Sequence, residues 1–193
     1  MNKATATLHT NLALASLTWL SNKITRKGMR GTTEVALDVG YVADAVALCS
    51  FQNRFFMAYT KDAGAFPQQN YFACIFEAKA SRSDFLNSFN DSPKHQNRHQ
   101  PIGSLHWCVT PRGLVEAKEL PDFWGLLEKK GIGLSELKKP VLQNISLERF
   151  DKIAHHVLWA IQARRNYLLC KRCGVFMQER YCNRCYSRIM NSH

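Results

Sequence analysis

The segment 71–79, with the sequence Y-F-A-C-I-F-E-A-K, constrains the fold of this chain more than any other. Its residues alternate between two faces, as in a β-strand. Two phenylalanines and Cys74 lie on one face, whereas Glu77 and Lys79 end the other. The segment therefore predicts a strand that holds a carboxylate and an ammonium group on the same side.

The periodicity of apolar residues predicts the other elements. They are a helix at 12–24, a hairpin with strands at 34–37 and 41–50, a short helix beginning at Ser81 or Ser83, a strand at 105–110, and a helix at about 147–165. Residues 51–57 either extend the second strand or start another. Residues 120–140 fit two short helices or a hairpin turning at 131–133, and we favour the hairpin.

The composition shifts at one place only, after Tyr167, where the chain becomes rich in Cys and Arg and poor in acidic residues. We therefore predict four parts along the sequence. They are a loose N-terminus at 1–11, a core at 12–145, a long connecting helix at 146–166 and a small metal-binding tail at 167–193.

The apolar run at 12–20 resembles the hydrophobic region of a secretory signal, but no convincing cleavage site follows it. The seven cysteines look like metal ligands and core residues, which suits a reducing compartment. No apolar stretch approaches the roughly 20 residues that a membrane helix needs. We expect a cytoplasmic protein without a membrane partner.

The chain is strongly basic, with 26 Lys and Arg against 15 Asp and Glu and a formal net charge of +11. A surface with that excess attracts polyanions, so nucleic acid is the first partner to consider. Charge alone is a weak argument, because many proteins are basic without binding nucleic acid. The oligomeric state is left open, dimerisation included.

Asp44 lies in a segment that is otherwise Val, Ala and Leu, where a carboxylate needs a compensating cation, proton or hydrogen bond. Phosphodiester hydrolysis uses hard oxygen ligands for Mg²⁺ and a cationic group beside the attacking water. Asp44 and Glu77 are the candidate ligands and Lys79 is the candidate water-positioning group. Glu34, on the neighbouring strand, could add a ligand, a base or a supporting contact.

The plainer alternative is that Glu77 and Lys79 form a surface ion pair and that Asp44 is a turn residue. The order of the elements argues against it: a helix, a hairpin carrying Asp44, a strand ending in Glu77 and Lys79, a short helix and another strand. An E-x-K spacing without this order would carry little information.

Two segments, A-D-A-V-A-L at 43–48 and I-F-E-A-K-A-S-R-S-D-F at 75–85, resemble the PD-(D/E)XK nuclease superfamily, in particular its MmcB-like DNA-repair members. Those members have the pattern A-D-x-x-A-L followed by v-E-x-K-x-S-r-x-D-F. The likeness continues through Asp91 and K-H-Q-N at 94–97 to W-C-V-T-P-R-G-L at 107–114. It covers roughly residues 12–140.

The resemblance implies an α/β fold with a restriction-endonuclease-like αβββαβ core and a mixed sheet, to which this chain adds the long helix and the tail. It implies Mg²⁺ or Mn²⁺ bound by Asp44 and Glu77, with Lys79 at the catalytic lysine position. The chain departs from the pattern in a long insertion at about 51–70. It also has S-P-K-H-Q-N-R-H-Q at 92–100, where the family has Lys-aromatic-x-x-Tyr.

Basic residues near these motifs and in the tail after Tyr167 are candidate phosphate contacts. They are Arg82, Lys94, Arg98, Arg172 and Arg184. The cluster at 94–99 is either a solvated loop or a backbone contact. Ser81 and Asp84 are read most simply as capping residues of the short helix.

The tail contains two C-x2-C pairs separated by eight residues. The four candidate ligands are Cys170, Cys173, Cys182 and Cys185. Four thiolates at this spacing form a closed tetrahedral shell, which predicts one structural Zn²⁺ rather than a disulfide pair or an iron-sulfur cluster. Either nucleic acid or a protein is the partner of such a tail.

These observations favour a Mg²⁺-dependent endonuclease that hydrolyses DNA in repair, restriction or a mobile-element process. The first alternative is a non-catalytic nucleic-acid-binding module that keeps a nuclease-like fold and grips its target with the zinc tail. A second is a protein-interaction adaptor. Metal titration at the acidic site would distinguish the first two.

Overall fold

The computed structural model describes residues 3–24, 29–38, 41–50, 59, 71–89, 101–163, 168–169 and 176–177. In chain order, the elements within these residues are α1 (Lys3–Lys23), β1 (Met29–Asp38), β2 (Tyr41–Ser50), β3 (Tyr71–Ala78), α2 (Arg82–Phe89), β4 (Leu105–Thr110), a 3₁₀ turn (Ala117–Glu119), β5 (Trp124–Lys130), β6 (Gly133–Lys138), α3 (Leu147–Ala163), β7 (Leu168–Leu169) and β8 (Phe176–Met177). The fold is α/β.

The first six strands form one mixed sheet in the order β1-β2-β3-β4-β5-β6. The pairs β1-β2, β2-β3 and β5-β6 are antiparallel, whereas β3, β4 and β5 run parallel. A parallel connection needs a crossover, and α2 lies in the crossover from β3 to β4. The predicted order α-β-β-β-α-β and the mixed sheet are both observed.

Each face of the sheet carries an apolar layer. On one face, α1 packs its leucines and Trp19 against β2, β3 and β4. On the other, Ile153 and Val157 of α3 pack against β1, β2 and β3. Every residue of β3 after Tyr71 is buried as a result, so a charged group on this strand is enclosed by protein. None of the described helices is long and apolar enough to cross a membrane.

A third cluster lies beneath α2. Phe85 and Phe89 face inward one helical turn apart, and the Phe89 ring meets Trp124 edge-on with centroids 5.0 Å apart. The Asp84 amide donates to Ser81 Oγ at 3.2 Å, so Ser81 is the cap that starts the helix. These contacts fix the chain just after the E-x-K motif.

The hairpin at 120–140 is confirmed, with Lys130 opposite Gly133 across a two-residue loop. Gly131 has a φ of 59°, a left-handed conformation that a glycine adopts without strain. The alternation predicted for β3 is confirmed as well, because Phe72, Cys74 and Phe76 all pack in the layer under α1.

The expectation of a loose N-terminus at 1–11 is wrong from Lys3 onward, since α1 begins there. The alanines and the leucine of A-T-A-T-L favour a helix, and Thr10 Oγ1 donates to the carbonyl of Ala6, four residues earlier, at 3.1 Å, as threonines in helices commonly do. β1 also begins earlier than expected, at Met29. The insertion at 51–70 lies outside the described residues, Tyr59 excepted.

Candidate functional site

Three predicted residues meet where β2 and β3 run side by side. The register Ala45↔Phe76 brings Asp44 next to Glu77 across the antiparallel pair. The Ala78 amide donates to Asp44 Oδ2 at 2.7 Å. Lys79 follows directly after β3, and its amide continues the sheet by donating to the Val109 carbonyl at 2.9 Å.

The strand that carries Asp44 changes face at this residue. Ala43 packs in the layer under α3, whereas Ala45 packs in the layer under α1, although strict alternation would put both on one face. On β1, Glu34 occupies the position opposite Asp44 and has a φ of 51°. A left-handed non-glycine residue inside a strand is strained and marks a local kink. Asp44 therefore lies at a kink shared by two strands.

Glu77 is enclosed, with 4% of its surface exposed. Tyr41 Oη donates to its Oε1 at 2.6 Å, and Lys79 Nζ lies 3.6 Å from its Oε2. Burial, and next the negative charge of Asp44, raise the pKa of the Glu77 carboxyl to about 7, against the opposing effect of Lys79 and Tyr41. Burial and the charge of Glu77 in turn raise the pKa of Tyr41, which keeps its hydroxyl a donor.

Asp44 is reached from the first helix. His9 Nε2 of α1 lies 3.2 Å from Asp44 Oδ2, the same oxygen that accepts the Ala78 amide. The hydrogen bond to Asp44 raises the pKa of His9, in spite of its partial burial. Both contacts orient one edge of the carboxylate.

The structure thus adds His9 and Tyr41 to the predicted set. Neither residue could be found from the sequence, since no spacing rule links a helical histidine to an aspartate 35 positions away. Tyr41 occupies the first position of β2 and resembles any aromatic core residue. Glu34 is exposed, and its strained backbone is what ties it to the site.

Arg82 was predicted to contact a phosphate, and in the structure its guanidinium contacts a carboxylate of this chain. It forms a two-pronged ion pair with Glu119, and its Nη1 also donates to the Leu114 carbonyl at 3.3 Å. This contact lowers the pKa of Glu119 to about 2. The charge of Glu119 offsets that of Arg82, which weakens the attraction of Arg82 for a phosphate.

The other predicted contacts and the zinc ligands lie outside the described residues. They are Lys94, Arg98, Arg172, Arg184, Cys170, Cys173, Cys182 and Cys185. The short strands β7 and β8 pair antiparallel and flank the first C-x2-C pair in the sequence. The zinc site stays a prediction.

In the described part of the chain, no group of three or more His, Cys, Asp and Glu side chains is arranged to hold a metal ion. Mg²⁺ needs fewer, because it is commonly bound by one or two carboxylates together with water and phosphate oxygens. Asp44 and Glu77 supply two such carboxylates, and a cation bound by them would offset the burial and the charge of Asp44, which raise the Glu77 pKa.

Comparisons with known proteins give little further information. No protein-family model and no curated protein match the chain. Among solved structures, the chain is similar to an SPO1766 protein of unknown function from Silicibacter pomeroyi, at 16% identity and a TM-score of 0.49. The match covers 80% of this chain and 91% of the other.

Proposed function

We propose that this chain is a metal-dependent nuclease that hydrolyses phosphodiester bonds of DNA, with Asp44, Glu77 and Lys79 as its active site. The observation that carries the proposal is the environment of Glu77. Its carboxylate is enclosed by protein, faces a second carboxylate, and among the described residues pairs with one ammonium group, that of Lys79, at 3.6 Å. This is the arrangement that binds a divalent cation beside a lysine.

A purely structural ion pair accounts for this arrangement less well. A buried pair that serves stability matches one anion with one cation and adds hydrogen bonds. Here two carboxylates share Lys79 and a half-exposed His9, and the pKa of Glu77 rises to about 7. Burying a carboxyl at such a cost is typical of functional sites, where a bound ligand supplies the missing charge.

Each residue then has a defined task. Asp44 and Glu77 would hold Mg²⁺ or Mn²⁺, which supplies a Lewis acid for the phosphate and an acidified water when bound. Tyr41 and the Ala78 amide fix the two carboxylates in orientation. Lys79 places a positive charge where the attacking water and the phosphate oxygens meet, and so offsets charge in the transition state.

DNA is the proposed substrate because of the charge of the chain and the resemblance of its motifs. The net charge of +11 favours a polyanion. The observed element order α-β-β-β-α-β agrees with the core that the resemblance to PD-(D/E)XK nucleases implies, and the E-x-K motif lies at the end of β3 as that pattern requires. The zinc tail would add a second contact to nucleic acid.

The test is a cleavage panel of labelled linear, circular, single-stranded and branched DNA with Mg²⁺ or Mn²⁺. We expect metal-dependent cutting that Asp44→Asn, Glu77→Gln and Lys79→Met each reduce by at least about 100-fold. Glu136→Gln is the matched control, since it neutralises a part-buried glutamate that contacts none of the three and should cut normally.

Metal-dependent DNA binding without cutting would instead support the non-catalytic module. Equal cutting by the three variants would place the active site elsewhere. Circular dichroism of every variant separates a loss of activity from a loss of fold.

A further inference from the structure

Thr110, the last residue of β4, has a buried hydroxyl group whose role the fold described above does not explain. Its side chain has no exposed surface. Among the residues that the structure describes, its Oγ1 has no hydrogen-bond partner. Buried hydroxyl groups are nearly always bonded, because leaving one unpaired destabilises the protein. An unpaired one calls for a functional or structural explanation.

The sheet places this hydroxyl beside Lys79. Ala78 pairs with Val109 in the parallel register of β3 and β4, and both pack in the layer under α1. The next residues, Lys79 and Thr110, therefore neighbour each other on the opposite face. The bond from the Lys79 amide to the Val109 carbonyl keeps the two strands together at this position.

Cys108 shows independently that this face of β4 adjoins the site. It pairs with Glu77 in the same register and lies two residues before Thr110. Burial raises the pKa of the Cys108 thiol, and the charges of Lys79 and Glu77 act on it as the next largest influences. The side of β4 that carries Cys108 and Thr110 is thus within the electrostatic reach of the proposed active site.

The Lys79 ammonium group, in turn, lacks hydrogen-bond acceptors among the described residues. Its ammonium group carries three donors and is almost fully buried. In the described structure, its ion-pair partner is Glu77 Oε2, at 3.6 Å, which is beyond ordinary hydrogen-bond length. A cation bound by Glu77 would weaken even that contact of Lys79. An acceptor on the neighbouring strand would keep the ammonium in place.

We propose that Thr110 is a positioning residue of the active site, whose hydroxyl oxygen accepts a hydrogen bond from the Lys79 ammonium, directly or through one water, when a cation engages Glu77. The inference rests on the proposed function, because it assigns Lys79 the catalytic position. Thr110 acts through Lys79 and does not itself contact the phosphate. The unpaired hydroxyl is then a group held ready for the loaded state.

The test compares Thr110→Val, which keeps the shape and removes the hydroxyl, with Thr110→Ser, which keeps the hydroxyl. In the metal-free protein, Thr110→Val should unfold at a midpoint equal to or above that of wild type, since it removes an unpaired polar group. With saturating Mn²⁺ and DNA, its kcat should fall by about 10- to 100-fold while KM changes less than about twofold. Thr110→Ser should restore most of the rate.

Thr32→Val is the control, because Thr32 is also buried but lies on β1, separated from β3 by β2. It should leave kcat unchanged. A second readout does not use cleavage: the rise in unfolding midpoint caused by Mn²⁺ should be smaller in Thr110→Val than in wild type or Thr110→Ser. A merely structural role would lower the metal-free midpoint instead.

The two proposals can fail separately. If wild type cuts and Lys79→Met does not, but Thr110→Val cuts like wild type, the Thr110 inference is wrong and the nuclease stands. If no chain cuts any substrate but the Mn²⁺ shift depends on the hydroxyl, the nuclease is wrong and the Thr110 contact stands. If Mn²⁺ shifts no midpoint and nothing is cut, both are wrong.

Discussion

Two glutamates of the sheet have opposite surroundings: Glu77 lies on β3 and Glu136 on β6, with β4 and β5 between them. Glu136 of β6 accepts from Tyr59 Oη at 2.7 Å and from Trp107 Nε1 at 3.0 Å, and both donors pack in the layer under α1. Within the described part of the chain, Glu77 has one neutral donor, Tyr41, and an ammonium group at 3.6 Å, and it faces the charge of Asp44.

Under the proposed function, the difference separates a carboxylate that serves stability from one that serves binding. Neutral donors satisfy Glu136 without a second charge, and it links the Tyr59 ring to the Trp107 ring, whose centroids are 5.9 Å apart. Glu77 is left with more negative charge around it than its neighbours offset. Removing the charge should therefore stabilise the fold at Glu77 and destabilise it at Glu136.

The largest expected effect is on stability as a function of pH. The pKa of Glu77 is about 7 in the folded protein, against 4.5 as its ordinary value. Between these values the folded chain binds a proton that the unfolded chain has lost, so the free energy of unfolding falls as pH rises. Metal-free Glu77→Gln should match wild type below about pH 4.5 and exceed it by on the order of 3 kcal/mol above about pH 7.

The measurement is denaturant unfolding of both chains from pH 4 to pH 8.5. His9, whose folded pKa is also raised, contributes stability that is likewise lost as pH rises through that pKa. The quantity to follow is thus the difference between the two chains rather than the slope of one. A difference that stays constant with pH would show that Glu77 is already compensated, and the comparison with Glu136 would lose its basis.

Glu136 provides the second prediction. Glu136→Leu leaves the Tyr59 hydroxyl and the Trp107 indole without their acceptor, which should lower the free energy of unfolding by about 2 kcal/mol. Glu148→Leu is the control, because Glu148 is exposed on α3 and forms a surface ion pair with Lys152, so its loss should change stability little. A Glu136→Leu protein as stable as wild type would show that Glu136 does not stabilise the fold through these two hydrogen bonds.

The sequence could predict those features of the fold and of the site that depend on the periodicity of a single strand, helix or turn. Alternation in β3 put Glu77 and Lys79 on one face, and the spacing of Phe150, Ile153 and Val157 predicted α3. Both predictions work because period-2 and period-3.6 patterns are fixed by the geometry of one strand or helix. The hairpin at Gly131 follows from turn chemistry in the same way.

Contacts between distant segments were beyond such patterns. The His9 contact with Asp44 depends on where α1 crosses the sheet, and the position of Thr110 beside Lys79 depends on the register of two parallel strands. The change of face at Asp44 breaks the alternation itself, because the kink at Glu34 reverses it. Sequence periodicity assumes a regular strand, and the site lies where the strand is irregular.

The smallest expected effect concerns that kink. It tests whether the backbone of β1 beside Asp44 and Glu77 is strained. Glu34→Gly should raise the free energy of unfolding by about 0.5 to 1 kcal/mol, because glycine adopts a φ of 51° without strain. Ala36→Gly, on the same strand and also exposed, should lower it by about the same amount. Chemical denaturation measures both.

Cleavage by the same variants then decides the role of Glu34. If its carboxylate assists catalysis, Glu34→Ala and Glu34→Gly should lose the same several-fold rate, although only the second relieves the strain. Full activity in Glu34→Ala would remove Glu34 from the catalytic set. A stability gain in Glu34→Ala as large as in Glu34→Gly would mean that the side chain, rather than the left-handed backbone opposite Asp44, is the source of the strain.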